Sequence, residues 1–367
     1  MEQTVPSPGK QGFKYVDQAG FGKNGMGWGT GTGYSNYNGD WSEDANNNAI
    51  TLETVNFGNG LLLGRYQYPK LIAKGNSIGG AAQIYALYYD DNTTNRDLIF
   101  RNFRVGSTVT GTGTATLYGG GTSSTGENYN QRSNLADNNT SGRITAATSA
   151  SRHFDYGVTS DNRVVIVYFD ETAGQLKLRY SNAAVDGSSP TAAVAWTTSS
   201  VTFPDYIGNY VSMTLDSANG IHIAAFDSSD SDLTYMYLPT YNSTNLSVVT
   251  VDAAFSVGNW TQIKVREVGG NRIPYIAYYN SSETGGRDSI KLAFSKTGVT
   301  ASNVPSGVDV SGNVTGNWEC MTVPALTPPQ GGSTMFKQVC LDFDSAGNPV
   351  VGYLGNNLEW GKWLNEQ

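Results

Sequence analysis

Residues Tyr210 to Leu238 read YVSMTLDSANGIHIAAFDSSDSDLTYMYL, and the order of runs and turns in this stretch decides the fold. A first run ends in the turn Asp216-Ser217-Ala218-Asn219-Gly220. Asp and Asn bond to nearby backbone and Gly tolerates positive φ, so such a cluster stops a strand. A second run, Ile221 to Phe226, is continuously apolar and closes on Asp227. A polar turn leads to a third run, Leu233 to Leu238, and a fourth follows from Leu246 to Val251. The runs are short, β-branched and aromatic, which is the signature of strands. Nothing recurs at helical spacing, so almost no helix is expected.

The same order returns along the chain. WTQIKVREVGGNRIPYIAYYNSSETGGRDSIKLAF opens at Trp260, HFDYGVTSDNRVVIVYFDETAGQLKLRYS at His153, and FKQVCLDFDSAGNPVVGYLGNNLEWGKWL at Phe336. A more divergent copy, AAQIYALYYDDNTTNRDLIFRNF, opens at Ala81. The second run closes on an aromatic plus Asp or Asn at Tyr89-Asp90, Phe169-Asp170, Phe226-Asp227 and Tyr279-Asn280. Repeated units of four antiparallel strands describe propeller blades. A second strand apolar on both faces fits a blade held between two neighbours. The expected fold is all-β: a β-propeller of four-stranded antiparallel blades, six favoured and five next, forming one domain over residues 1–367. The Gly- and Asn-rich start of the chain, with apolar pieces at Phe13–Val16 and Ile50–Phe57, is expected to close the ring. An open ring would expose an unpaired strand edge. Residues 107–151, poor in apolar side chains, are expected to be a long loop or hairpin insertion.

Composition narrows the functional classes. The 367 residues carry a net charge of -8 and only 15% charged side chains, with 44 Gly and 22 Tyr. The basic residues do not cluster, so no nucleic-acid partner is expected. No apolar run approaches the length of a membrane span, so none is expected in this chain. Low charge with abundant Gly, Ser, Thr, Asn and Tyr fits an extracellular or cell-surface protein. The start MEQTVPSPGKQG has no apolar core of a signal peptide, so Met1 is expected to stand in place of an export signal or a preceding domain. Cys320 and Cys340 lack zinc-ligand spacing and are read as two small buried hydrophobes, although pairing stays open.

In an antiparallel meander the start of strand one and the end of strand two share an edge. Two recurrent steps therefore meet there. One is Gly-Asn-aromatic, at Gly208-Asn209-Tyr210, Gly258-Asn259-Trp260 and Gly316-Asn317-Trp318, the third of which could instead precede the last strand of its own blade. The other is the step that closes strand two. Asp170, Asp227, Asn280, Tyr210 and Trp260 are thus the candidate ligand-binding residues, because sugars offer hydroxyls to Asp and Asn and apolar faces to rings. The competing reading is that these aspartates hold turns and the aromatics are core. The run from Asp227 to Asp232 spaces carboxylates as calcium could use them, but it lacks the Gly and distal Glu of an EF-hand loop. It reads as a solvated turn, and no cofactor is expected. His222 lies within an apolar strand and reads as a hydrogen-bonded core imidazole. No serine-nucleophile elbow is present, and no motif singles out the two carboxylates a glycosidase needs.

The unit GN(W/Y)…(I/L)xxDSxGxxxIAxxDxxxxxLxY resembles a propeller repeat of large exported surface proteins of bacteria, best in the copies at Tyr210 and Trp260. The resemblance implies a binding or display module. The expectation is therefore a non-catalytic surface or secreted module for adhesion, recognising a glycan or a protein partner. A glycoside-acting enzyme with an Asp/Glu pair near the propeller axis is the first alternative. A structural unit of a longer surface protein is the second.

Overall fold

The computed structural model describes residues 66–78, 81–92, 95–105, 117–118, 150–185, 194–254, 256–283, 287–307, 316–323, 339–354 and 358–362. Of the first 66 residues, expected to supply the strand that closes the ring or a sixth blade, all but Tyr66 lie outside them, as does nearly all of 107–149. Among the described residues there are nineteen strands and no helix. The chain divides into two compact units, one of residues 1–93, 99–133 and 186–193, the other of 94–98, 134–185 and 194–367.

The described residues form five antiparallel sheets, each in chain order. Most of the first belongs to the smaller unit: β1 (Tyr66–Ile78), β2 (Ala81–Asn92), β3 (Asn95–Val105) and β4 (Leu117–Tyr118). Leu117 and Tyr118, expected in an insertion, pair with Val105 and Arg104 as the fourth strand of this sheet.

The larger unit carries four sheets. The second is β5 (Ala150–Val158), β6 (Val164–Asp170), β7 (Gln175–Ser181) and β8 (Trp196–Thr198). The third is β9 (Ile207–Leu215), β10 (Ile221–Asp227), β11 (Asp232–Leu238) and β12 (Ser247–Asp252). The fourth is β13 (Val257–Val268), β14 (Asn271–Glu283), β15 (Arg287–Ser295) and β16 (Trp318–Thr322). The fifth shows β17 (Val339–Phe343), β18 (Pro349–Leu354) and β19 (Leu358–Lys362). First strands of successive sheets lie beside one another, β5 against β9, β9 against β13 and β13 against β17.

The unbroken apolar second strands now have a cause. Ile221, Ile223 and Ala225 of β10 pack with Val165, Val167, Leu176 and Leu178 of the preceding sheet. Ala224, between them in sequence, points the other way, into a cluster with Ile276, Tyr278 and Trp318 of the following sheet. The same arrangement continues from Ala277 and Tyr279 to Val351 and Tyr353. A strand buried on both faces carries no polar alternation.

The turns between first and second strands repeat one device. Asp216 Oδ1 accepts from the backbone N–H of Ala218 and Gly220, and Asp344 Oδ1 accepts from Ala346 and Asn348. Thr159 takes the place of the aspartate in the second sheet, its Oγ1 accepting from Arg163 N–H. Both cysteines are free. Cys320 is half-buried, with burial pushing its thiol up to about 11. Cys340 is exposed on β17, which corrects the reading of two buried hydrophobes, because β17 turns alternate residues outward.

Candidate functional site

The edge at which second strands end is assembled by register. Asp227 pairs with Ile207, Asn280 with Val257, and Asp170 with Ala150. The expected meeting of strand-one starts and strand-two ends is present in all three sheets. Backbone bonds tie these edges together, from Tyr206 N–H to Gly174 O and from Val257 N–H to Ser231 O. The Gly-Asn-aromatic steps fit this close approach. A Cβ on Gly208 would lie 2.6 Å from Phe169, and one on Gly258 would lie 2.9 Å from the Leu233 backbone.

Immediately after these steps both first strands bulge. The register jumps between Asn209 and Ser212 opposite β10, and between Asn259 and Gln262 opposite β14. Tyr210 and Trp260 occupy the bulges at φ 54° and 55°, the left-handed region. Holding a bulky non-glycine residue there costs about 1–3 kcal/mol and requires support from its surroundings. Thr261 supplies part of it, donating from Oγ1 to Tyr210 O and lying 3.2 Å from Ala224 O.

Counted from the paired starts Ala150, Ile207 and Val257, the residues three places on are His153, Tyr210 and Trp260. Their rings form an arc across three sheets, with centroids 4.7 Å apart between His153 and Tyr210 and 4.8 Å between Tyr210 and Trp260. All three are half-buried. Beneath the arc runs a ladder between sheets. Asp155 Oδ2 accepts from Ser212 Oγ and Met213 N–H, at 3.1 and 2.8 Å, and Ser212 Oγ in turn accepts from Ile263 N–H at 3.2 Å.

The acidic residues of the same edge divide into two kinds. Asp170 Oδ1 accepts from Thr172 and Ala173 N–H, and Asp227 Oδ1 accepts from Ser229 N–H and Oγ. These bonds are those of turn-holding aspartates. Asn280 is buried. Asp232, opposite Asp227 in the β10–β11 pair, differs. Burial, with the neighbouring charges of Asp230, Asp227 and Asp252, pushes its carboxyl up to about 6. Among the described residues no group of three or more His, Cys, Asp or Glu is arranged to hold a metal ion.

The third Gly-Asn-aromatic step lies elsewhere. Trp318 begins β16, the last strand of its sheet, and is fully buried with Nε1–H donating to Pro305 O. Sequence reading passed over His153 because Ser151-Arg152 precedes it in place of Gly-Asn; only its offset from Ala150, the residue paired with Asp170, aligns it with Tyr210 and Trp260. His222 is fully buried, its Nδ1 2.7 Å from Tyr235 Oη and its Nε2 3.3 Å from Asp216.

No family model matches the chain. No curated protein matches it either. Solved structures do. A variant of the NanB sialidase from Streptococcus pneumoniae is 11% identical with a TM-score of 0.41, over 80% of this chain and 56% of that one. A GH43 endo-arabinanase from Bacillus licheniformis is 13% identical with a TM-score of 0.37, over 81% of this chain and 93% of that one. An engineered GH43 glycoside hydrolase is 12% identical with a TM-score of 0.34, over 74% of this chain and 45% of that one. The chain thus spans about half the length of two of these proteins. The expectation of a non-catalytic binding module is corrected: the similar structures are GH43 glycoside hydrolases and a sialidase.

Proposed function

We propose that the chain is a glycoside-acting enzyme whose sugar surface is the His153–Tyr210–Trp260 arc and whose general acid is Asp232. One observation carries the reading. An aromatic arc at equivalent positions shares an edge with a carboxyl whose pKa is raised to about 6. Rings stack on the apolar faces of sugars, and backbone strain of the kind held at Tyr210 and Trp260 gathers at functional sites. Glycoside hydrolysis uses two carboxyl groups, one of which must deliver a proton to the departing oxygen. A carboxyl that keeps its proton to about 6 is suited to that step. Asp230, exposed in the same turn, is the second carboxyl group.

Asp232 stands two strands out from Ile207, about 10 Å at ordinary interstrand spacing, and Tyr210 lies three residues further along β9. The Val257–Gly258 backbone that leads to Trp260 packs directly on Ser231–Leu233. We read the sheets as propeller blades with first strands innermost, on the support of the β5, β9, β13, β17 succession. An extracellular setting, where polysaccharide is met, fits the repeat's resemblance to exported surface proteins. Incubation with arabinan, xylan, β-1,3-galactan and sialosides tests the reading. Sugar release from at least one, lost in Asp232→Asn, is expected; no release from any would overturn it.

A further inference from the structure

We infer that Tyr206 is a further saccharide-binding residue of this site, stacking on a sugar unit beyond those on the arc. The inference rests on the glycoside-acting reading and makes its substrate an oligosaccharide chain rather than a single glycoside. Tyr206 directly precedes β9 and is 60% exposed, the most exposed large apolar side chain among the described residues. Among those residues no group bonds to its hydroxyl and no ring stacks on its own.

A lone exposed side chain is ordinary, but this one stands on a backbone that is not. Tyr206 is held at φ 63°, where a bulky residue is strained. Its N–H donates to Gly174 O at 2.8 Å, and its carbonyl accepts from Ser228 N–H at 3.0 Å and Ser228 Oγ at 2.9 Å. The carbonyl tie recurs in the next sheet, where Ser256 O accepts from Ser281 N–H at 3.0 Å and Ser281 Oγ at 3.4 Å. Tyr206 and Ser256 are equivalent, each preceding the residue paired with the end of strand two. A serine serves the tie there, so the tie does not call for an aromatic. Packing does not call for one either, since the ring is mostly in solvent. A ligand surface gives the strained tyrosine a purpose.

Position supplies the ligand class. Ser228 begins the turn that leads to Asp232, and Tyr210 follows Tyr206 by four residues, roughly 10–13 Å at strand rise. A single sugar does not span that distance. The tyrosine ring offers an apolar face to the C–H side of a sugar and a hydroxyl that donates and accepts. A backbone already fixed by its ties reduces the ordering cost of binding.

The test compares wild type, Tyr206→Phe and Tyr206→Asn on arabino-, xylo- and galacto-oligosaccharides of two to six units. Phe keeps the ring; Asn removes it and tolerates the left-handed backbone. For Tyr206→Asn a roughly tenfold rise in KM is expected on the longest chains, with kcat and the KM for disaccharides within about twofold. Tyr206→Phe should stay within about threefold of wild type throughout. The melting temperature of Tyr206→Asn should equal or exceed that of wild type. An unchanged KM on the longest chains in Tyr206→Asn overturns the role of Tyr206 and leaves the glycoside-acting reading in place. An equal rise at every chain length with a lower melting temperature overturns it too, since that marks a structural residue. Absence of turnover by wild type on every oligosaccharide removes the glycoside-acting reading, and this inference with it.

Discussion

Where β9 turns into β10, Asp216 is enclosed. His222 and Gly220 bond to it, and Arg272 of the next sheet lies 3.2 Å away. Burial alone would raise its carboxyl, but those hydrogen bonds and the charges of His222 and Arg272 outweigh it and hold the pKa below the usual range. Where β10 turns into β11, on the opposite edge, Asp232 has other aspartates as its charged neighbours, and its pKa moves the other way. Each aspartate adjoins a strand end of the third sheet. One edge surrounds its carboxylate with hydrogen-bond donors and a cation; the other sets Asp232 among three aspartates, of which Asp252 is paired with Lys291, beside a strained aromatic arc. An arrangement that lowers stability persists when something other than stability selects it.

The largest effect is expected at the compensated edge. Asp216→Ala strands His222 and Arg272, and breaking a buried pair of this kind costs about 3–5 kcal/mol. Urea denaturation checks it; a loss below about 1 kcal/mol would mean that the network is dispensable. The next effect belongs to the ladder under the arc. Asp155→Ala leaves Met213 N–H without its acceptor and should cost about 1–3 kcal/mol by the same measurement. Asp227→Asn keeps the shape of a turn holder and removes its charge. Its stability should stay within about 0.5 kcal/mol of wild type, and its turnover unchanged, if it only holds the turn.

The two edges also differ in pH dependence. Burial lowers the pKa of His222 despite the charge of Asp216, so the unfolded chain takes up that proton first. Stability from this edge is present above pH ~6.5 and is lost as pH falls below it. The raised Asp232 carboxyl works in reverse: it costs stability above about 6 and returns it as pH falls toward ~3.9. The difference in melting temperature between wild type and Asp232→Asn should therefore shrink from pH 7.5 to pH 4, whereas protonation of His222 lowers both proteins alike.

Much of this frame is legible in the sequence. Unbroken apolar runs announce strands buried on both faces, and Asp-Ser-Ala-Asn-Gly announces its turn because the first Asp fastens the loop by itself. What escapes is set through space. Gly316-Asn317-Trp318 has the letters of the arc and begins a last strand, since a tripeptide does not reveal which neighbour it will pair with. His153 lacks the letters and joins the arc, because register rather than local sequence puts it there. Asp232 looks like any residue of an acidic turn, and its raised pKa comes first from a burial the sequence does not show, with Asp252 of β12 adding to the charges around it. Asp155 reaches Ser212 across a sheet boundary that no local pattern marks.

Asp232→Asn, assayed for both turnover and melting, tests the central claim most directly. The side chain keeps its shape while losing its proton and its repulsion with neighbouring aspartates. The account predicts a loss of glycoside turnover on the order of 10²-fold or more, with melting at pH 7.5 unchanged or raised by about 1–2 °C. Wild-type kcat should itself decline as pH rises above about 6, as the acid form disappears. Turnover within twofold of wild type in a normally folded Asp232→Asn protein would contradict the claim.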